Sequence, residues 1–189
     1  MKNLEEITND DIRNVLAFSG GKDSTALLLH AIEREVEFEI VFADTGHEHQ
    51  ITYDYLDYIE DALDVKITRV KADFTERMKK KREYIRKHWG KEKITNIFGN
   101  KKTRRALTDE EIQVALDNVR PTGNPMEDCL RYHGRPPTPM QKFCSMELKQ
   151  QPVIEQIYQP LIDAGYFPIS WQGVRAEESS KRAGYLPIE

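Results

Sequence analysis

The hexapeptide Ser19-Gly20-Gly21-Lys22-Asp23-Ser24 constrains this chain more than any other segment. It follows a short apolar run, Asn14 to Phe18 (NVLAF), that reads as a strand. It precedes residues 23–35, which read as a helix with Ala26, Leu27, Leu28, Leu29 and Ile32 on a broad apolar face. Two adjacent glycines let the backbone approach a polyphosphate closely, and the amides of a helix start point at such an anion. Ser19 and Ser24 add hydroxyls and Lys22 adds a positive charge. Asp23 can accept from neighbouring amides, hold the loop or help place a magnesium ion. The segment is not a Walker A loop, which needs four residues between Gly and Gly-Lys. Read without a ligand, the same residues make a strand-to-helix turn.

The strand–helix pattern repeats. Phe38 to Ala43 (FEIVFA) is a second strand and ends at Asp44-Thr45-Gly46. Residues 50–63 are amphipathic, with Tyr55, Leu56, Ile59 and Leu63 at helical spacing, and Lys66 to Val70 (KITRV) is a third strand. Strands alternating with helices of this length predict βαβ units, and hence a parallel sheet covered on both faces. After Ala72 the pattern changes. Residues 74–89 read as a basic helix and 90–105 as a polar, Lys-rich loop. Thr108 with Glu111 three residues on has the spacing of a capping box, for a helix running to about Val119. The Pro- and Gly-rich stretch 121–139 reads as irregular, 145–164 as helical with a break near Pro152, and Pro168 to Val174 as a last strand. The expectation is one domain over 1–189, with 74–139 an inserted basic, Pro-rich helical subdomain.

Charge singles out that insertion. From Arg77 to Arg105 there are thirteen Lys and Arg against Glu83 and Glu92, a local +11. The net −4 of the whole chain therefore leaves −15 on the remainder. Residues 77–105 read either as a nucleic-acid footprint or as a solvated helix face with a basic loop. Apolar runs such as Ala26–Leu29 are far too short to span a bilayer, and the N-terminal MKNLEEITND lacks the apolar core of a signal peptide. With two cysteines in 189 residues, a disulfide scaffold is excluded and a reducing, cytoplasmic setting with no membrane partner is expected. Two thiolates also cannot alone fill a four-cysteine iron–sulfur or zinc site. His47 and His49 face opposite ways on an extended chain and read as surface or hydrogen-bonding groups. Tyr53, Tyr55 and Tyr58 read as helix packing. No metal ligands are assigned.

The SGGKDS loop resembles the pyrophosphate loop of the PP-loop ATP pyrophosphatase superfamily. The segment Phe42-Ala43-Asp44-Thr45-Gly46-His47-Glu48, a strand end followed by a Tyr-rich helix, resembles the phosphoadenylyl sulfate (PAPS) reductase branch of that superfamily. Gly173-Val174-Arg175-Ala176-Glu177-Glu178-Ser179 with Arg182 resembles the family's G-x-R-x-x-E-S-x-x-R signature. Phe143-Cys144-Ser145-Met146-Glu147-Leu148-Lys149 after a Pro-rich loop resembles members from phage and mobile elements, and is similar to DNA phosphorothioation sulfurtransferases. The resemblance implies a Rossmann-like adenine nucleotide α-hydrolase fold of the α/β class. It implies that Ser19, Gly20, Gly21, Lys22, Asp23, Ser24, Asp44, Thr45, Gly46, Arg175, Glu178, Ser179 and Arg182 hold the nucleotide, with Asp44 and Thr45 toward ribose or adenine. Arg175 and Arg182 would contact the phosphate chain, and Glu178 would orient one of them or the metal. Lys22, Asp23 and Cys144 are the candidate catalytic residues. Cys144 precedes a helix, where the dipole, Lys142 and Lys149 would favour its thiolate.

The chain also departs from that family. No ECG-like cysteine motif follows the arginine signature before Glu189, and an iron–sulfur cluster would need cysteines this chain does not have. The first loop is intact, where sulfonucleotide reductases usually carry a modified one, so ATP with Mg²⁺ is the expected nucleotide and PAPS the alternative. The expected activity is cleavage between the α and β phosphates of ATP, adenylating an acceptor, linked to sulfur transfer from a sulfur donor. A PAPS or adenylyl sulfate reductase that uses Cys129 or Cys144 with thioredoxin is a second reading. A non-catalytic ATP-binding sensor or defence component is a third.

Overall fold

The computed structural model describes residues 8–97 and 100–174. The chain divides into two compact units, Met1–Lys71 with Lys149–Glu189, and Ala72–Leu148.

The first unit is built on a four-stranded parallel sheet of β1 (Ile12–Ala17), β2 (Phe38–Ala43), β3 (Ile67–Val70) and β6 (Phe167–Gln172). Its strand order is β3-β2-β1-β6. Helix α1 (Lys22–Glu33) joins β1 to β2, and α2 (Gln50–Leu63) joins β2 to β3. Because successive residues of a strand point to opposite faces, the strands carry two apolar sets. Leu16, Phe18, Ile40, Phe42 and Ile67 pack with Leu28 and Ala31 of α1 and Leu56 and Ile59 of α2. Val15, Val41 and Val70 turn the other way and pack with Val153, Ile157, Tyr158 and Leu161. Strands buried on both faces read as continuous apolar runs, which is why NVLAF and FEIVFA mark them. The α/β class and the parallel sheet with helices on both faces are as expected.

Val153, Ile157, Tyr158 and Leu161, which cover the second face, lie in the later part of a run of four contiguous helical segments. Ser145–Gln150 and Ile154–Tyr158 have π spacing, whereas Gln151–Val153 and Gln159–Asp163 are α-helical. The expected break near Pro152 is absent. A proline inside an α-helix clashes with the carbonyl four residues back. Here Pro152 and Pro160 each sit in the first turn of a short α segment that follows a π segment, where the wider spacing relaxes that clash.

The second unit holds α3 (Thr75–His88), the hairpin of β4 (Lys93–Ile97) and β5 (Asn100–Arg104), α4 (Asp109–Asn118) and α5 (Pro125–His133). Its core gathers Phe74, Met78, Ile85, Leu116, Val119, Cys129 and Leu148. The basic helix and the Thr108 capping box stand where expected: Glu111 N donates to Thr108 Oγ1 at 3.2 Å and Thr108 N to Glu111 at 2.9 Å. Two expectations fail. The Lys-rich stretch is an antiparallel hairpin rather than a loop. Its apolar residues Ile94 and Ile97 are three apart, so no period-two signal marks a strand. The Pro/Gly-rich stretch contains α5, with Asn124 as N-cap, Pro125 in the first turn and Gly134 in the left-handed conformation (φ 67°) that ends it. Proline just inside a helix start and glycine just past its end are stop and start marks, not signs of irregular chain.

Candidate nucleotide site

In a parallel sheet, ligands sit outside the carboxyl ends of the strands where the strand order reverses. Here the order runs outward from β1 to β2 to β3, and β6 then returns to the other side of β1. The reversal therefore falls between β1 and β6. Ser19–Ser24 leaves the end of β1 at that point, and Gly173 leaves the end of β6.

The loop is organised by its last serine. Ser24 is buried, and its hydroxyl accepts from Ser19 N (3.2 Å), meets Ser19 Oγ (3.1 Å) and donates to the Gly21 carbonyl (2.9 Å). Thr25 donates to the same carbonyl at 3.0 Å and meets the Tyr55 hydroxyl at 3.1 Å, which ties the start of α1 to α2. Ser24 thus holds the loop from inside, while Ser19, Gly21 and Lys22 remain exposed. Gly20 requires its hydrogen side chain, since its φ is +71° and a Cβ there would meet Thr52 at 3.1 Å. Helix α1 begins at Lys22 after Gly21, which offers no capping side chain. Its first amides have no intrahelical acceptor by construction, and the positive end of the helix dipole lies there. An anion at Gly21–Asp23 would meet both.

Gly173 fits against this turn from the other strand. A Cβ added to it would lie 2.6 Å from the Asp23 carbonyl oxygen and 3.0 Å from Ser24 N. The first residue of the G-x-R-x-x-E-S-x-x-R block is therefore in backbone contact with the start of α1. Arg175, Glu178, Ser179 and Arg182 themselves lie outside the described residues. A cleft of ≈ 470 Å³ opens beside the loop, lined among others by Ser19, Ala43, Glu48, Lys149, Tyr158 and Gln172. That volume is in the range of small-ligand sites.

The turn after β2 is a closed network. Asp44 is buried, and its carboxylate accepts from Gly46 N (2.8 Å), the Tyr53 hydroxyl (2.7 Å) and Lys71 Nζ (3.0 Å). Burial pushes its pKa up, but the bonds from Tyr53, Gly46 and Lys71 outweigh that and hold it below the ordinary value. Burial and the adjacent Asp44 carboxylate push the Tyr53 phenol up to about 12. Thr45, also buried, donates to Glu48 Oε1 at 2.8 Å and accepts from His47 N at 3.3 Å. The side chains of Asp44 and Thr45 thus shape the turn, and Gly46 (φ +72°) lets it close. Tyr53 does more than the expected packing: besides its edge-on contact with Phe42, it is a hydrogen-bond donor to Asp44. His49 caps α2, accepting from Ile51 N at 3.2 Å through Nδ1.

Cys144 belongs to the second unit, half-buried against its apolar core. Lys149, expected to favour its thiolate, has Glu48 as an ion partner at 4.0 Å. Cys129 is fully buried, and its thiol is pushed up to about 11, first by burial and then by the nearby Glu147 charge. Part of the basic segment is engaged internally: Arg77 pairs with Glu147 at 2.7 Å, Lys81 donates to the Tyr132 carbonyl and Arg82 to the Leu116 carbonyl. Lys79, Lys80, Arg86, Lys87 and Lys91 are exposed. Among the described residues, no helix is long and apolar enough to cross a membrane.

Three features of these units carry little or no local signal in the sequence. The contact of Gly173 with α1 has no local signal beyond the glycine itself. The Tyr53–Asp44 bond spans nine residues and is set by where α2 lies on the sheet. The third is a grouping of Cys129, His133 and Glu147, for which the i, i+4 spacing of Cys129 and His133 is the available sequence clue.

Comparison with known proteins identifies the family to which the chain belongs. No solved structure matches the chain. An uncharacterised 37.8 kDa protein in the gpa 5′ region of Escherichia phage 186 is 44% identical over 175 residues. The alignment covers 93% of this chain and 51% of that protein, so the chain spans about half the length of its relative. The model of the phosphoadenosine phosphosulfate reductase domain matches residues 13–188. A match of that extent, running from β1 through the arginine block, places the chain in the phosphoadenosine phosphosulfate reductase domain family.

Proposed function

We propose that this chain is an enzyme that binds ATP with Mg²⁺ at the β1–β6 reversal and cleaves it between the α and β phosphates. The observation that carries this reading is the intact Ser19–Ser24 loop. It is held from within by Ser24, exposed at Ser19, Gly21 and Lys22, and packed by Gly173 at the start of a 12-residue helix. The amides of Gly21–Asp23 and the hydroxyl of Ser19 bind the pyrophosphate, and Lys22 offsets its charge. The adenosine half lies along the cleft toward Ala43–Glu48. The donors that fit magnesium are carboxylates, Asp23 at the loop and Glu178 in the arginine block, since magnesium takes oxygen ligands and retains water. When bound, the ion neutralises charge on the leaving pyrophosphate. An acceptor oxygen forms a bond to the α phosphorus, the bond from that phosphorus to the bridging oxygen breaks, and pyrophosphate leaves with the electron pair. Arg175 and Arg182 hold the charge that develops on the phosphate oxygens. In a sulfur-transfer reaction, a sulfur nucleophile from a donor would then displace AMP from the adenylated acceptor. Residues 77–105 are the candidate surface for a nucleic-acid acceptor.

The family match favours PAPS as the alternative nucleotide. Reduction of PAPS needs a thiolate to attack sulfur, and Cys129, with its thiol raised to about 11, is poorly suited to that role. Cys144 is the cysteine that reading would use, with thioredoxin as reductant. Incubation with ATP or PAPS and Mg²⁺, followed by assays for pyrophosphate, AMP and sulfite, separates the two. Pyrophosphate and AMP from ATP, lost in Lys22→Ala and Ser19→Ala, are expected. Turnover unchanged in both variants overturns the assignment of the loop. Sulfite from PAPS, lost in Cys144→Ser, establishes the reductase reading instead.

A further inference from the structure

The geometry points to a divalent transition-metal site of the zinc type in the second unit, formed by Cys129 Sγ, His133 Nε2 and a Glu147 carboxylate oxygen. One ligand atom from each residue lies within 4.8 Å of the others. His133 Nε2 and Glu147 Oε1 already stand 3.0 Å apart. Tetrahedral coordination with bonds of about 2.0–2.3 Å places neighbouring ligand atoms about 3.3–3.8 Å apart, so the three atoms need to move by no more than side-chain adjustments of about 1 Å.

The donor set selects the ion. One sulfur, one imidazole nitrogen and one carboxylate oxygen suit zinc or ferrous iron, whereas magnesium and calcium prefer all-oxygen shells. Three protein ligands leave one position open for an exchangeable group, the pattern of reactive rather than purely structural zinc sites.

The surroundings fix the ligands as metal sites require. Cys129 and His133 stand one turn apart at the end of α5 and therefore share a helix face. The His133 ring is stacked on Phe143, with centroids 3.8 Å apart and planes 16° apart, and meets Tyr132 edge-on at 5.3 Å. Glu147 gives its second oxygen, Oε2, to Arg77 at 2.7 Å, which leaves Oε1 turned toward His133. The Arg77 guanidinium is itself placed over Tyr132, 4.3 Å from the ring centroid. Outer partners of this kind orient ligands and tune the ion they hold. On loading, Cys129 binds as the thiolate and its S–H proton is released to solvent. The Cys129 thiolate, the Glu147 carboxylate, Arg77 and a dication then sum to a charge of +1.

The test uses the full chain, purified without chelator and without nucleotide. Elemental analysis is expected to find about one equivalent of zinc or iron per chain, and Co²⁺ loading a thiolate-to-cobalt charge-transfer band. Cys129→Ser is expected to abolish that band. Because Cys129 is fully buried, His133→Gln and Glu147→Gln, at partly exposed positions, keep the test independent of core damage. Each is expected to weaken Zn²⁺ affinity by more than the roughly 10–100-fold that loss of an outer-shell partner costs. A chelator should lower the melting temperature of the wild type and leave that of His133→Gln unchanged. Wild-type protein carrying only trace metal after Zn²⁺ titration overturns the assignment. So does a His133→Gln or Glu147→Gln variant that titrates with Zn²⁺ as the wild type does.

Discussion

Gly173→Ala tests the link between the last strand and the phosphate loop. The φ of Gly173 is outside the left-handed range, so alanine can adopt its backbone conformation and the effect reports the contact alone. A Cβ at this position lies 2.6 Å from Asp23 O, 2.7 Å from Asp23 C and 3.0 Å from Ser24 N, where ordinary contact begins at 3.4 Å. The backbone of β6 or of α1 must therefore yield by 0.8 Å at the closest atom. Both are backbone, with no flexible side-chain end to turn away. Overpacking of this kind costs about 1–3 kcal/mol. For a chain of this size each kcal/mol lowers the melting temperature by about 2–4 °C, so a fall of roughly 2–12 °C is expected by fluorimetry. The same displacement carries Ser24, whose hydroxyl sets the loop, away from Ser19 and Gly21. Losing one hydrogen bond to a charged phosphate costs about 1.5–3 kcal/mol, so titration calorimetry with ATP and Mg²⁺ should show affinity reduced roughly tenfold to a hundredfold. Gly90→Ala is the control: its nearest neighbour would be Ile112 Cδ1 at an ordinary 3.5 Å, and a change within about 0.5 kcal/mol is expected. A Gly173→Ala protein with wild-type melting temperature and ATP affinity would refute the argument that this contact sets the loop.

Ser24→Ala removes the partner of Ser19 N and should lower stability by about 1–3 kcal/mol, measured by urea unfolding, together with nucleotide affinity. Asp44 has a folded pKa below its ordinary value of 3.8, so its stabilising contribution is complete above that value and is lost as pH falls through the folded pKa. Asp44→Asn should therefore flatten the acid limb of the melting temperature against pH. Tyr53 is raised from 10.0 to about 12, so its contribution is complete below pH 10.0 and is lost as pH rises through about 12. Tyr53→Phe should remove that alkaline limb. Thr108→Ala breaks a capping box and should cost about 0.5–2 kcal/mol, whereas Ile85→Ala in the core of the second unit should cost about 2–5 kcal/mol.

The first unit was largely legible because its signals are local. Strands buried on both faces must be apolar runs, and a phosphate loop must place its glycines and serine within six residues. β1, α1, β2, α2 and β3 therefore stand close to where their residues indicate. Local signals misled where punctuation had two meanings. Pro125 and Gly134 bound a helix, though the same residues also suit irregular chain. Pro152 suggests a break, and π spacing absorbs it. The hairpin β4–β5 is made by backbone pairing between polar segments, and its sequence has no period of two to show it.

What the sequence determined by itself is the chemistry of the loop and the parallel α/β class, because both follow from residues adjacent in the chain. The tertiary structure alone decided which distant atoms meet. Gly173 lies against Asp23 because β6 pairs with β1. Asp44 is held by Tyr53 and Lys71 because α2 and the end of β3 flank the same strand end. Glu147 is brought to Cys129 and His133 by the packing of the second unit. Side-chain spacing encodes a face, but only packing decides what that face meets.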